Sequence, residues 1–447
     1  MAVKVKNMTE GKPSSIILSF ALSLMAGNIF QQLYTVVDTM VVGKALGVGA
    51  LAALGAAEWM NWMMLGIIQG FTQGFGIRMA KEFGAGNHNA LRKAAAGSAA
   101  IAAVSSVVLV ITGQLMVKTL LQILQTPPDI WDGTILYLRI MFSGIPVVML
   151  YNLLACILRA LGDSRTPLNA MIVASVVNIL LDMLFVIGFG WGIAGAASAT
   201  LIAQMVSSIF CIWHIGKIEL LRFRPEDFRV SARLMGELMY LGVPMAFQNA
   251  IIAVGGMIVQ AVVNGFGVIF IAGFTATNKL YGLLEIAATS YGYAMVTYTG
   301  QNMGAGEIKR IHDGMRAAVV IAVLTSVVIA ACMLGFGKVL LGLFISGSPE
   351  TVDETLAIAY RYLAVMSVGL PILYILHVTR SAIQGMGNTV LPMLSGVAEF
   401  IMRTASALFL PGLLGGNGIF YAEIMAWMGA DAILVTSYFI VVKRLSV

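Results

Sequence analysis

Runs of about twenty or more apolar residues, separated by short polar breaks, recur along the whole chain, and a helix of that length crosses a hydrocarbon core about 30 Å thick. The solvent for such a chain is a bilayer. Of 447 residues, 59% are hydrophobic and 11% charged, so a water-soluble fold would lack the polar groups needed to cover itself. Within the runs Leu, Ala, Val, Ile, Met and Gly mix without two-residue alternation, and backbone in lipid must satisfy its own hydrogen bonds. Helices meet that demand and barrel strands do not fit the pattern. The first run, from Pro13 to Asp38, is too long for the apolar part of a signal peptide and carries Asn28, Gln31, Gln32 and Asp38. It is expected to be retained as the first span.

Twelve spans are expected, over 15–38, 50–77, 94–117, 134–158, 167–189, 192–214, 236–264, 270–299, 315–337, 357–381, 391–412 and 419–441. The fold class is therefore all-α integral membrane, in two six-helix bundles: a first lobe 1–220, a connecting loop 221–235 and a second lobe 236–447. Twelve spans put both termini on one side. Basic residues crowd that side, with Arg78, Lys81, Arg92 and Lys93 in one loop and Lys217, Arg222, Arg224, Arg229 and Arg233 in another. The opposite loops hold Lys44, Lys118 and Lys338. Positive charge marks the cytoplasmic side, so a multi-pass plasma-membrane protein with cytoplasmic termini is expected. The net charge of +6 is then a property of solvated loops, and no nucleic-acid partner is expected. Cys156, Cys211 and Cys332 are scattered singly, as are the four histidines, so neither disulfides nor a metal cluster is expected.

The second half repeats the first. Tyr137–Pro167 aligns without gaps on Tyr362–Pro392 at an offset of 225, pairing Gly144 and Pro146 with Gly369 and Pro371, and Gly162, Asp163 and Pro167 with Gly387, Asn388 and Pro392. At an offset of 220, Phe83-Gly84-Ala85-Gly86 falls on Met303-Gly304-Ala305-Gly306. Because each unit has an even number of spans, the halves share one orientation and are related by a pseudo-twofold axis along the membrane normal, with a central cavity between them expected. The Gly-Ala-Gly turns lack the Lys-Ser/Thr of a phosphate loop and read as helix terminators. No serine, cysteine or carboxylate pair sits in a catalytic context, so no enzyme is expected.

Charges at membrane depth cost about 2.5–3.5 kcal/mol each on insertion scales and need a partner or a function. On the first span Asn28, Gln31, Thr35 and Asp38 share one face; on the second, Glu58, Asn61, Gln69 and Thr72 do so. Ser175, Asn178 and Asp182 line the fifth, and Thr200 and Gln204 are one turn apart on the sixth. Asp38 and Asp182, among neutral oxygens, make either a protonatable pair or an alkali-cation site. The second lobe carries a mixed set: Lys279, Glu285, Glu399, Arg403, Glu423 and Asp431. Glu399 and Arg403 stand at i, i+4 and suit an intrahelical salt bridge, Glu423 is expected near a solvated membrane face, and Glu285 could meet a cationic substrate. Gln31, Thr35, Glu58, Asn61, Met64, Gln204, Gln248, Lys279 and Glu285 are the expected lining of a substrate cavity, with methionines suiting pliable apolar contacts.

Five segments resemble the multidrug and toxic compound extrusion family: QQLYTVVDTMVVGKALG in the first span, KEFGAGN after the second, ALGDSRTP before the fifth, NILLDMLFVIGFGWGIAGAASAT across the fifth and sixth, and TGQNMGAG after the eighth. The resemblance implies a twelve-helix antiporter that expels organic cations or other amphiphiles by alternating access, with Na⁺ or H⁺ as coupling ion and no cofactor, working as a monomer. In the DinF-like branch it implies a cation site at Asp38, Asn178, Asp182 and Thr200. The NorM-like branch places a glutamate on the seventh helix, where this chain has Gln248 and Asn249, so the DinF-like branch is expected. The alternative is a flippase for a lipid-linked saccharide, whose cavity would carry basic residues toward pyrophosphate; an acidic first lobe argues against it.

Overall fold

A computed structural model describes residues 7–123, 126–345 and 349–445. Its helices are α1 (Pro13–Leu46), α2 (Val48–Gly84), α3 (His88–Ile123), α4 (Pro128–Ser143), α5 (Ile145–Ala160), α6 (Arg165–Asp182), α7 (Gly192–Ile215), α8 (Ala232–Val263), α9 (Val268–Gly304), α10 (Ile308–Gly342), α11 (Pro349–Gly385), α12 (Val390–Leu414) and α13 (Ala422–Leu445). A π-helical turn, Met183–Gly188, extends α6. Helices α4 and α5 form one span bent by 47°, which brings the described helices to twelve spans, and the fold is all-helical as expected. By length and hydropathy alone, nine stretches qualify to cross a membrane, or ten with the bent pair. Among these, α12 and α13 count as one continuous stretch, and α9 falls short because Thr275, Thr277, Asn278, Lys279 and Glu285 dilute its apolar character.

The repeat is visible in the backbone. Gly86 and Gly306 both have positive φ (70° and 76°), and each closes its helix with the same three bonds. Ala85, Gly86 and Asn87 amides donate to the carbonyls of Lys81, Phe83 and Glu82, as Ala305, Gly306 and Glu307 do to Gln301, Met303 and Asn302. A side chain resists the left-handed conformation that such C-terminal turns need, which is why glycine holds both positions. Lipid-facing residues repeat as well: Val104, Val107 and Val108 on α3 and Leu324, Val327 and Val328 on α10 are all more than half exposed. The bend is where the copies part. Gly144 breaks the fourth span, with Pro146 in the first turn of α5 where a missing N–H costs nothing, whereas α11 runs continuously through Pro371.

The chain divides into two compact units. One comprises mainly Leu22–Ala246; the other joins Met8–Ala21 to the residues from Phe247 onward. Thus α1 begins in the second unit and continues in the first, while α8 does the reverse. In the first unit the start of α8 packs against α2 so closely that a Cβ on Gly70 or Gly74 would lie 2.4 Å from the backbone of Ala246 or Gly242. In the second, Met8 is fully buried; its amide donates to Gln301 Oε1 (2.8 Å), and Arg310 Nη2 donates to the carbonyls of Met8 and Gly11 (3.3 and 3.1 Å). The first unit's core joins α2 to α5 with parts of α1, α6, α7 and α8, around Met60, Ile68, Phe75, Phe142 and Met149. The second contains a file of aromatic rings, Phe274, Tyr362, Phe420, Phe270 and Phe266, with successive centroids 4.6–5.5 Å apart, a spacing that adds to simple area burial.

The connection between α7 and α8 is tied to α3. Asp227, buried, accepts from Arg92 Nε at 2.9 Å and from the Arg224 amide at 2.8 Å. Burial alone would raise the Asp227 pKa, but the Arg224 amide and the Arg92 guanidinium outweigh it and hold the carboxyl below its ordinary value. A carboxylate depressed in the folded state stabilises above its unfolded pKa of about 3.9, and that stability is lost as the pH falls through the folded value. Asp227→Asn is therefore expected to cost about 1–3 kcal/mol at neutral pH. Thermal unfolding in detergent should show a lower midpoint than the parent at pH 7, the gap narrowing below about pH 4.

Candidate functional site

The start of α6 is set by Asp163, whose Oδ1 accepts from the Arg165 and Thr166 amides at 3.0 Å and whose Oδ2 accepts from Thr166 Oγ1 at 2.6 Å. This side-chain cap satisfies first-turn donors and adds a negative charge where the helix dipole favours one. Asn388 caps α12 likewise, without the charge, by accepting from the Leu391 amide (3.1 Å). From that start α6 is held laterally: Ser175 Oγ donates to the Phe30 carbonyl of α1 (3.3 Å), and Ser207 Oγ of α7 donates to the Ala170 carbonyl (3.4 Å). Buried small residues on α7, Gly195, Ala196, Ala197, Ala199 and Ala203, let it approach closely; a Cβ on Gly195 would lie 3.1 Å from Phe185.

These contacts bring one face of α6 against α1 and α7. Asn178 and Asp182 are fully buried (0% exposed) and Asp38 nearly so (8%). The Asp38 and Asp182 carboxyl groups lie within interaction range of each other, and no Lys or Arg among the described residues acts on either. Asn178 Nδ2 donates to Thr200 Oγ1 at 3.5 Å, a long bond. The four residues that family resemblance implied for a cation site thus lie on neighbouring faces of α1, α6 and α7.

The unsatisfied atoms of this cluster are all oxygens. Asp38 Oδ1, Asn178 Oδ1, both Asp182 oxygens and Gln204 Oε1 are buried with no hydrogen-bond partner among the described residues. Buried acceptors of this kind are costly and uncommon. Five from four side chains, two of them carboxylates, make a nest for positive charge. One turn beyond each carboxylate sits a buried valine, Val42 and Val186, which with Ala196 forms a small apolar cluster. It covers one end of the polar group. The π-helical turn begins immediately after Asp182, and such turns recur at functional sites.

Two tyrosines belong to this group and were not expected. Tyr34, buried, lies within interaction range of Gln31, Gln204, Asp38 and Asp182, and Tyr137, also buried, lies in the field of Asp38, Tyr34, Asp182 and Glu58. The other expected lining residues of this unit differ in their burial. Thr35 is exposed and returns its hydroxyl to the Gln31 carbonyl (3.0 Å); Glu58 is exposed and Asn61 half-buried; Met64 packs in the first unit's core.

In the second unit the charges form a buried network. Arg403 Nη2 pairs with Glu399 at 2.9 Å, the expected i, i+4 bridge, and also with Glu423 at 2.7 Å. Glu423 is therefore an ion-paired residue rather than a solvated one. Arg380, which drew no attention in the sequence, pairs with the other Glu399 oxygen at 2.7 Å. Arg403 Nη1 also donates to the Ile252 carbonyl (3.1 Å). Glu285 faces His377 at 3.8 Å, both side chains partly exposed. Gln248 is buried, with its Oε1 accepting from Gln384 at 3.3 Å, and Lys279 is exposed. At an offset of 225, Arg403 occupies the position of Asn178 in the repeat, so the second unit carries a guanidinium where the first has a neutral amide.

The MatE family profile matches residues 23–184 and 244–408. The chain is 28% identical over 421 residues to a Bacillus subtilis protein described as probable multidrug resistance protein YpnP, covering 93% of each. It is 24% identical to the probable multidrug resistance protein NorM of Thermotoga maritima, over 85% of this chain and 81% of that one. A solved structure of a MOP superfamily transporter from Pyrococcus furiosus superposes with a TM-score of 0.93 at 21% identity, covering all of both chains. Another, of MATE in a bent conformation, gives 0.90 at 21% over 100% of this chain and 99% of that one. With its twelve-span helical fold and both halves matched, the chain belongs to the MatE family, whose members are multi-pass membrane transporters and not enzymes.

Proposed function

We propose that this chain is a cation-coupled antiporter of the DinF-like branch that exports amphiphilic, cationic small molecules by alternating access. The observation that carries the reading is the set of five buried oxygens on Asp38, Asn178, Asp182 and Gln204 that have no hydrogen-bond partner among the described residues, with no described basic side chain acting on the carboxylates. Two carboxylates so placed repel each other unless a cation or proton stands between them. Their arrangement is therefore sensitive to whether that charge is bound, and it lies on α1, a helix that passes from one compact unit into the other. Binding energy at the site can shift a conformational equilibrium by as much as the affinity differs between states. We assign Asp38, Asn178, Asp182 and Thr200 to the coupling cation. Glu285, partly exposed beside His377, is the carboxylate we assign to a cationic substrate.

The lipid-linked saccharide reading needs cationic side chains available to a pyrophosphate. Arg380 and Arg403 are engaged by Glu399 and Glu423 instead. The crowding of basic residues into the N-terminal segment and the loops on its side supports cytoplasmic termini, and we assign the monomer as the working unit.

The test is flux in proteoliposomes. An outward-to-inward Na⁺ or H⁺ gradient, each imposed separately, is expected to drive movement of a fluorescent organic cation against its own gradient. Movement that no ion gradient accelerates would overturn the antiport reading.

A further inference from the structure

The connection between α7 and α8 carries two aromatic rings that no spanning helix requires. Phe223 and Phe228 are 39% and 65% exposed, and their ring centroids stand 5.8 Å apart at 37°. Exposed apolar surface set among charges marks a place where something else is met. The rings are also held in place. Ile218 and Leu221 are buried in the first unit's core, and Asp227, beside Phe228, is gripped by Arg92 of α3 and by the Arg224 amide.

Basic residues surround the pair. Arg222 and Arg224 flank Phe223 and Arg229 follows Phe228, all three exposed. By contrast, Arg78 is occupied by Glu82 and Glu237 at 2.8 and 3.1 Å, and Arg92 by Asp227 at 2.9 Å. Arg222 and Arg229 have no ion pair among the described residues. From Lys217 to Arg233 the chain sets five basic residues against three acidic ones, and one of those acids, Asp227, is already neutralised by Arg92 from outside the segment.

The end of α7 indicates what lies beside this connection. Trp213, 60% exposed, stands two residues before the last residue of that spanning helix, and Lys217 Nζ lies 2.9 Å from the centre of its ring. The headgroup layer of a bilayer favours this pairing, because an indole sits at the apolar edge while an ammonium reaches the phosphates. Phe223 comes ten residues after Trp213, in a segment pinned back onto the helix ends. A soluble acidic partner would account for the arginines alone. Arginines with paired rings, next to a tryptophan of this kind, match a partner that offers negative headgroups above an apolar layer.

We propose that the α7–α8 connection docks on the membrane surface as a site for anionic phospholipid, with Phe223 and Phe228 entering the apolar edge and Arg222, Arg224 and Arg229 engaging headgroup phosphates. The site is separate from the acidic cluster and holds whichever ion or substrate the protein moves.

Two measurements on the full-length protein test this. Native mass spectrometry in detergent, with dioleoylphosphatidylglycerol titrated against dioleoylphosphatidylcholine, reads lipid preference. A basic residue near an anionic surface adds about fivefold in affinity. The parent should therefore prefer phosphatidylglycerol by at least about tenfold, and R222Q/R224Q/R229Q should cut that preference at least about fivefold. Phe223→Ser combined with Phe228→Ser should weaken both lipids alike and leave the preference. The substituted side chains are exposed, so unfolding midpoints in lipid-free detergent should match the parent. For the second measurement a nitroxide is attached at Phe228→Cys in a Cys332→Ser background, Cys156 and Cys211 being buried. In nanodiscs of phosphatidylcholine mixed with phosphatidylglycerol, the label should meet dissolved oxygen more often than a water-soluble nickel chelate. A label open to nickel in those nanodiscs would overturn the inference, as would a phosphatidylglycerol preference that is missing from the parent or kept by the triple arginine variant.

Discussion

Asp182→Asn and Asp38→Asn are expected to reduce ion-driven transport at least about 100-fold, beyond the 10- to 100-fold that changes to outer-sphere groups cost a metal site. Each substitution removes one of the two carboxylates in a cluster on which no basic side chain among the described residues acts, so the coupling charge loses half its counter-charge. Asp182 should be the more severe, being fully buried with both oxygens unpartnered. Because the two carboxylates repel each other, replacing one with an amide relieves strain in the ion-free protein, and the variants should unfold at or above the parental midpoint in choline medium. That combination, dead transport with intact or raised stability, separates loss of coupling from loss of fold. Glu226→Gln, at an exposed carboxylate in the connection between α7 and α8, serves as the control and should transport normally. Parental flux in both Asp variants would remove the acidic cluster from the mechanism.

The second large effect is on stability, and it lies in the other unit. Arg403→Met leaves Glu423 without its partner and Glu399 with Arg380 alone, and stranding one member of a buried ion network costs about 3–5 kcal/mol. A fall of that size should appear as a much lower unfolding midpoint and poor recovery of monodisperse protein after extraction. Adding Glu423→Gln to Arg403→Met should restore part of the loss, since the penalty comes from the uncompensated carboxylate rather than from the missing guanidinium. A parental midpoint for Arg403→Met would show that the network contributes little to stability.

Much of this was legible from the chain. Apolar run length gave the spans because the thickness of a bilayer is fixed, and glycine and proline positions gave the repeat because few other residues accept those backbone angles. The face shared by Ser175, Asn178 and Asp182 could be read from helical periodicity. What escaped depends on partners supplied by other helices. Tyr34 and Tyr137 look like ordinary membrane aromatics until α1, α4 and α6 are placed side by side. Glu423 reads as a terminal charge until Arg403 reaches it. Arg380 had a signal that could have been used: at the repeat offset it stands where the first half has Ala155, and His377 where it has Asn152. A charge gained in one copy of a repeat inside the membrane calls for a partner gained with it, and Glu399, opposite Ala174, is that partner.

The exchange of helix beginnings between the units bears on how the protein is made. The turns of α1 before Leu22 are made early, but Gln301 and Arg310, which clasp Met8, lie 293 and 302 residues further along. At about 5–20 residues per second this segment waits on the order of 15–60 s for its binding partners. The first unit closes much earlier, when Gly242 and Ala246 arrive to cover Gly70 and Gly74. A chain stopped within the connection between α7 and α8 would leave Gly70 and Gly74 of α2 without the α8 backbone that covers them, and Met8 without Gln301 and Arg310. The order of synthesis thus makes the segment around Met8 wait until α9 and α10 have been made.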